Sequence, residues 1–132
     1  KDPALTRKWI DQFSPEKIIL GADIKNYKIS INGWKSESNF DLFDFVADYV
    51  KAGIKRIIST DIACDGMLTG PNFQLYKELK DKFPCLEIIA SGGIANIEDL
   101  HQLNELGIDG VIIGKAIYEN KIQLNELKQF LI

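Results

Sequence analysis

The stretch STDIACDGMLTGPN occupies residues 59–72 and directly continues an apolar run over 54–59. An apolar run that leads into Thr60, Asp61 and Asp65, and then into glycines, indicates a buried strand that ends in a polar loop. In folds where parallel strands alternate with helices, the loops at the carboxyl ends of the strands carry the functional site. We therefore interpret residues 59–72 as one wall of a candidate site.

The composition of the chain is typical of a globular domain. It has 132 residues, of which 45% are hydrophobic and 27% are charged, and its formal net charge is -3. This charge argues against nucleic acid or an anionic membrane surface as a partner, although backbone amides can bind phosphate without positive charge. The apolar runs are too short to cross a bilayer and no secretory signal is present, so we expect a cytoplasmic protein with reduced cysteines.

Four helices are predicted from capping residues and apolar spacing. The first begins at the start of the chain and ends before Pro15, the second ends at Gly53, the third stops at Pro84, and the fourth ends at Gly107. The predicted N-terminal caps of these helices, in chain order, are Asp2, Asn39, Asn72 and Asn96.

Short apolar strands are predicted between these helices, over 17–22, 55–60, 87–90 and 110–113. The alternating segment 27–32 is predicted to be a long loop or a hairpin over a site. The sequence around 53–58 repeats in pattern at 107–112, which indicates two tandem βαβα units. Such units form either an open doubly wound sheet or part of a (βα)-barrel, and polar or glycine residues after all four strands favour the barrel.

Carboxylates and a hydroxyl near the strand ends are candidates for acid and base catalysis. Asp23 is predicted to end the first strand, and Asp61 and Asp65 to follow the third, so a barrel would direct all three into one mouth. Each of them could instead cap a turn, and Asp65 before Gly66 is also ordinary turn chemistry. Thr60 has the same two interpretations, as a site hydroxyl or a local hydrogen-bonding group.

Two glycine loops are predicted at neighbouring strand ends. Ser91 is followed by Gly92 and Gly93, and Gly114 by Lys115 and a short helix. In barrels the loops after the last two strands form the usual phosphate site, and the pairing of the loops indicates phosphate binding more strongly than one glycine pair would. Trp34 is either an aromatic lid over the ligand or part of the loop packing.

Three motifs of the chain closely resemble a known family. They are Thr60-Asp61-Ile62 with Asp65-Gly66-Met67-Leu68 and Gly70-Pro71-Asn72, then Ala90-Ser91-Gly92-Gly93-Ile94, and then Val111-Ile112-Ile113-Gly114-Lys115-Ala116. Together they resemble the second half of the histidine-biosynthesis isomerase family HisA, phosphoribosylformimino-5-aminoimidazole carboxamide ribotide isomerase. The resemblance implies an α/β fold, a TIM-type (βα)-barrel half with four parallel strands corresponding to strands 5 to 8 and flanking helices. Residues 1–132 would then be one unit, the C-terminal half of a (β/α)8 barrel.

The resemblance also implies roles for individual residues. Asp23 is similar to the family's general acid, Thr60 to its substrate-positioning hydroxyl, and Gly92, Gly93, Gly114 and Lys115 to its phosphate site. Asp65 and Gly66, which shape the loop after the third strand, complete the expected substrate-binding set. The implied reaction is an Amadori rearrangement of an aminoaldose to an aminoketose, without a metal or redox cofactor.

The resemblance places the second catalytic group, a general base, on a first strand that this sequence does not contain. We therefore expect the chain alone to be nearly inactive and to associate with an N-terminal half, or with itself, through exposed strand edges. The expected partner molecule is a phosphorylated, ribose-containing substrate, with no nucleic acid and no membrane. Two alternatives stay open, a half of the related cyclase HisF and a non-catalytic phosphate-binding half-barrel.

Overall fold

The computed structural model describes residues 2–31, 33 and 36–130, which form an α/β fold. The strands are β1 (Leu20–Lys25), β2 (Lys28–Ile31), β3 (Ser36–Asp41), β4 (Arg56–Asp61), β5 (Glu87–Ser91) and β6 (Gly110–Ile112). The helices are α1 (Pro3–Phe13), α2 (Leu42–Ala52), α3 (Phe73–Lys82), α4 (Ile97–Glu105) and α5 (Lys115–Tyr118), with 3-10 turns at Pro15–Lys17 and Glu126–Phe130. In the described part of the chain, no helix has the length and apolar character needed to cross a membrane.

The six strands form one sheet in the order β3-β2-β1-β4-β5-β6. The pairs β1–β4, β4–β5 and β5–β6 are parallel, and a helix precedes each of the strands β4, β5 and β6. The hairpin β2–β3 continues the sheet beyond β1 with antiparallel pairing. The four parallel strands and their helices confirm the predicted half of a (βα)-barrel.

Local sequence signals determine where most helices begin and end. The carboxylate of Asp2 accepts hydrogen bonds from the first free amides of α1, as its predicted capping role requires. Asn96 and Asp99 form a reciprocal capping box at the start of α4. Gly53 ends α2 with φ of 108°, a left-handed conformation that favours glycine.

The predicted cap of α2 was wrong. Asp41 caps this helix, accepting hydrogen bonds from the amides of Phe43 and Asp44, whereas Asn39 lies within β3. Pairing of β3 with β2 keeps this segment extended up to Asp41, so the helix begins two residues later than predicted. Phe40, which follows the predicted cap directly, is accordingly 61% exposed on the strand.

The predicted position of β1 was also displaced. Part of the predicted segment 17–22 is a 3-10 turn that begins at Pro15, and β1 extends to Lys25 because the hairpin pairs Ile24 with Ile29 and Lys25 with Lys28. Asp23 therefore lies inside the strand and not at its end. The same hairpin corrects the expectation of a bare edge on this side, since it covers the last part of β1 and confirms a hairpin over 27–32 in its described residues.

The parallel strands alternate between two faces. One face packs against the helices and carries the core, where residues such as Ile57, Leu79 and Ile88 have no exposed surface. The opposite face, which would be the interior of a closed barrel, carries side chains that are only partly buried. Residues on this inner face are therefore the ones available to a ligand at the carboxyl ends of the strands.

Candidate functional site

A row of paired residues crosses the inner face near the carboxyl ends of the four parallel strands. Asp23 pairs with Thr60, Thr60 with Ser91, and Ser91 with Ile112. Paired residues of neighbouring parallel strands point to the same face and lie about 4.8 Å apart in the sheet. The predicted acid and the predicted positioning hydroxyl are thus adjacent, and Ser91 extends their row toward the glycine loops.

The next row toward the amino ends of the strands is apolar. Gly21 pairs with Ile58, Ile58 with Ile89, and Ile89 with Gly110. A side chain at Gly110 would crowd Ile89, because an added Cβ would lie 3.3 Å from its Cγ1 atom. The polar row consequently forms the outermost layer of the inner face, with a packed apolar layer beneath it.

A pocket of about 280 Å³ opens beside the polar row. Its lining contains every residue that was predicted for substrate and phosphate binding, together with Ser91 of the polar row. Asp23 and Thr60 do not line it. The residues that line the pocket are Asp65, Gly66, Leu68, Ser91, Gly92, Gly93, Ile94, Ile112, Gly114 and Lys115.

The lining of this pocket offers backbone donors and one cation. No acceptor in the described part of the chain takes a hydrogen bond from the backbone N–H groups of Gly92, Gly93 or Gly114. The ammonium of Lys115 lies 3.0 Å from the carbonyl oxygen of Gly66 across the pocket and 3.5 Å from a carboxylate oxygen of Glu119. Amides that lack internal partners next to a lysine are suited to binding an anion such as phosphate.

Gly92 and Gly93 are required by close packing as well as by their backbone conformation. Both have positive φ, 93° and 87°. An added Cβ at Gly92 would lie 2.8 Å from the carbonyl oxygen of Asp61, and one at Gly93 would lie 2.4 Å from the carbonyl oxygen of Gly70. The amide of Gly70 donates to the carbonyl of Gly93 at 3.0 Å, which holds the two loops together. The turn after β5 is therefore packed tightly against the loop after β4.

Asp61 holds the loop after β4 in place and differs in this from its predicted role. The prediction directed its carboxylate into the mouth of a barrel, but the residue is buried at the end of β4 on the helix-facing side. One carboxylate oxygen accepts from the amide of Ala63 at 3.0 Å and the other from the side-chain amide of Asn72 at 2.8 Å. Asn72 in turn caps α3 through the amide of Leu75. Asp61 thus connects the loop to the following helix.

Tyr76 is a further residue of the site region that the sequence did not indicate. It lies on α3 with no exposed surface, and its hydroxyl oxygen is 2.9 Å from the carbonyl oxygen of Ser59 and 2.8 Å from that of Ser91. The same hydroxyl accepts a hydrogen bond from the amide of Ser91 at 3.1 Å. Burial raises the pKa of Tyr76 well above its usual range, so the phenol stays protonated at neutral pH.

The remaining predictions concern an aromatic residue near the site and the two cysteines. Trp34 lies outside the described residues. Cys64 packs beside Gly93, and burial together with the charge of Asp61 raises the pKa of its thiol, whereas Cys85 is exposed. Within residues 2–31, 33 and 36–130, no group of three or more histidine, cysteine, aspartate or glutamate side chains could hold a metal ion.

Comparisons with known proteins agree on one family. A family model described as "Histidine biosynthesis protein" matches residues 1–123. A Bacteroides thetaiotaomicron protein named 1-(5-phosphoribosyl)-5-((5-phosphoribosylamino)methylideneamino) imidazole-4-carboxamide isomerase is 54% identical over 99% of this chain and 55% of its own length. Proteins of the same name from Parabacteroides distasonis and Flavobacterium johnsoniae are 53% and 49% identical, over 98% and 100% of this chain and 54% and 55% of their own lengths. The chain spans about half the length of the curated relatives it matches. It belongs to the histidine biosynthesis protein family.

Proposed function

We propose that this chain is the C-terminal half of a (βα)8-barrel isomerase and supplies strands five to eight of that barrel. The substrate would be the phosphoribosyl imidazole carboxamide compound named for its relatives, and the reaction an aldose-to-ketose Amadori rearrangement. The observation that carries the proposal is the row of Asp23, Thr60 and Ser91 on neighbouring strands, immediately beside the glycine-lined pocket. An acid, a hydroxyl and an anion site then lie along one face, as a phosphorylated sugar substrate requires.

In this proposal Asp23 is the general acid. It gives a proton to the ring oxygen of the ribose while the bond between that oxygen and C1 breaks, which leaves a Schiff base at C1. A base then removes the proton from C2, which gives an enolamine with a C1–C2 double bond. Addition of a proton at C1 and loss of the proton from the C2 hydroxyl give the ketone. The base would come from the other half of the barrel. In this half, the carboxylate of Asp61 is hydrogen-bonded within its loop, and Asp65 lines the pocket that would hold the phosphate.

Thr60 and the pocket would position the substrate. Thr60 lies between Asp23 and Ser91 in the row, where its hydroxyl can contact the sugar without taking part in proton transfer. The amides of Gly92, Gly93 and Gly114, together with Lys115, would hold one phosphate of the substrate. Binding the phosphate beside Ser91 then fixes the ribose against the acid.

The test is Asp23→Asn in the whole protein that contains this chain. Asparagine has the same shape and cannot donate the carboxylic proton, and loss of a positioned acid lowers rates by roughly 10² to 10⁴. We expect kcat to fall within that range and the affinity for inorganic phosphate to stay unchanged. Asp48→Asn on the solvent face of α2 is the matched control and should retain full turnover. Retention of more than about a tenth of kcat by Asp23→Asn would contradict the assignment of the acid.

A second candidate function is phosphate binding without catalysis. It is favoured by the pocket, because the loops after β4, β5 and β6 together bring glycine amides and Lys115 to one place. Titration of the isolated chain with ribose 5-phosphate, followed by turnover assays with and without the remaining half of the protein, separates the two functions. Binding with turnover only in the presence of the other half supports the isomerase half, whereas binding with no turnover in either case supports the second candidate.

A further inference from the structure

The Tyr76 hydroxyl joins the carboxyl ends of two strands at the place where the site begins. Its three contacts are with the carbonyl of Ser59 on β4 and with both the carbonyl and the amide of Ser91 on β5. Ser59 immediately precedes Thr60 of the polar row, and Ser91 immediately precedes Gly92 of the pocket. One buried hydroxyl therefore sets the spacing of the two backbones just before both parts of the candidate site.

The side chain is well fixed for such a role. Tyr76 has no exposed surface, and it lies one turn after Asn72, the cap of α3. Asn72 is itself hydrogen-bonded to Asp61 at the end of β4. Because helix and strand are connected at this point, the hydroxyl has a defined position relative to both strand ends. Groups that bind a ligand must be held to within about 0.5 Å, which packing and hydrogen bonds of this kind provide.

We propose that Tyr76 is a positioning residue for the phosphate-binding turn, with its hydroxyl orienting the Ser91 amide and thereby the Gly92 and Gly93 amides that follow. This proposal rests on the proposed function of the pocket. Peptide planes that follow one another share a Cα atom, so a rotation at Ser91 changes the direction of the next N–H groups. Loss of the hydroxyl would remove an acceptor of the Ser91 amide and leave the turn less well oriented.

The test compares the whole protein with its Tyr76→Phe variant, which removes the hydroxyl and keeps the ring. Titration with inorganic phosphate, followed by NMR on the amides of Gly92 and Gly93, measures binding at this pocket alone. We expect the phosphate Kd to rise roughly three- to tenfold, the range that corresponds to loss of one hydrogen bond of ordinary strength. With substrate, KM should rise by a similar factor while kcat changes less, because the phosphate does not react.

Tyr49→Phe is the matched control. Tyr49 is also a buried tyrosine, and it lies on α2 beside the start of α1, away from the pocket. It should lower stability without changing the phosphate Kd. Equal phosphate affinities in the wild type and in Tyr76→Phe, or an equal effect of both variants on Kd, would overturn the proposal for Tyr76. If the wild-type Gly92 and Gly93 amides do not respond to phosphate, the proposed function of the pocket fails, and the Tyr76 proposal fails with it.

If Tyr76→Phe does not fold, hydrogen exchange in the wild type decides the question. Phosphate should slow exchange of the Ser91 amide at least threefold, because an ordered turn holds that amide on the tyrosine oxygen. The Ile88 amide, which donates to Asp109 at the other end of the same strand, should not change. No slowing at Ser91, or the same slowing at both amides, would overturn the proposal.

Discussion

Replacing Gly93 by alanine tests the close packing of the two site loops. In the structure an added Cβ would lie 2.4 Å from the carbonyl oxygen of Gly70 and 2.9 Å from Cβ of Cys64, far inside normal contact distance. The backbone φ of 87° adds strain for any residue with a side chain. Relief requires the loop after β4 to move away, which breaks the hydrogen bond from Gly70 to Gly93.

Each of these three effects lowers the free energy of unfolding of Gly93→Ala. A non-glycine residue with positive φ costs about 1 to 2 kcal/mol. Overpacking against backbone costs roughly 1 to 3 kcal/mol, and the broken hydrogen bond about 1 kcal/mol. We expect Gly93→Ala to lower the free energy of unfolding by about 3 to 6 kcal/mol. Urea denaturation followed by circular dichroism measures this difference.

Gly66→Ala separates the two causes. Gly66 also has positive φ, 70°, but an added Cβ there would meet no atom within 4 Å. It should lose only the conformational part, about 1 to 2 kcal/mol. If both variants lose the same free energy within about 0.5 kcal/mol, the loops do not approach each other as described and the reasoning is refuted.

Three further outcomes follow from buried polar groups and thiols. Asp61→Asn would set an amide donor against the donor of Asn72 or against a backbone N–H, so urea denaturation should show a loss of about 1 to 3 kcal/mol, and no loss would contradict the described contacts. Ser59→Ala removes a buried hydroxyl that has no partner in the described part of the chain, so stability should stay equal or rise by up to about 1 kcal/mol. A loss of stability in urea denaturation would contradict the absence of a partner for this hydroxyl. Cys85 is exposed, whereas the thiol pKa of Cys64 is raised. Iodoacetamide should therefore modify Cys85 first near pH 8, and Cys64 should react only as the pH rises further. Mass spectrometry that shows the reverse order would contradict this expectation.

Much of the fold was accessible from the sequence because its signals are local. Asp2 and Asn96 cap helices through side-chain contacts a few residues away, so neighbouring letters are sufficient to predict them. The glycine loops after β5 and β6 meet at one pocket because consecutive parallel strands place their carboxyl ends at the same edge.

The parts that the sequence did not predict depend on contacts between distant segments. Asn39 is as good a cap as Asp41 in isolation, and only the pairing of β3 with β2 decides between them. Asp61 and the adjacent Thr60 look equally suited to a site, but the alternation of the strand turns one toward the helices and the other toward the inner face. For Tyr76, helical spacing indicates which face is buried and says nothing of a hydrogen bond to two strand ends.

The alternation of the strands also bears on how such a protein changes over time. Ile57 and Ile88 on the helix-facing side maintain stability, while Asp23, Thr60 and Ser91 on the other side do not belong to that core. Substitutions in the polar row can therefore exchange one reactive group for another without changing the packing of that core. A half-barrel with this arrangement is a scaffold on which new enzyme activities can evolve, because only a few positions need to differ between them.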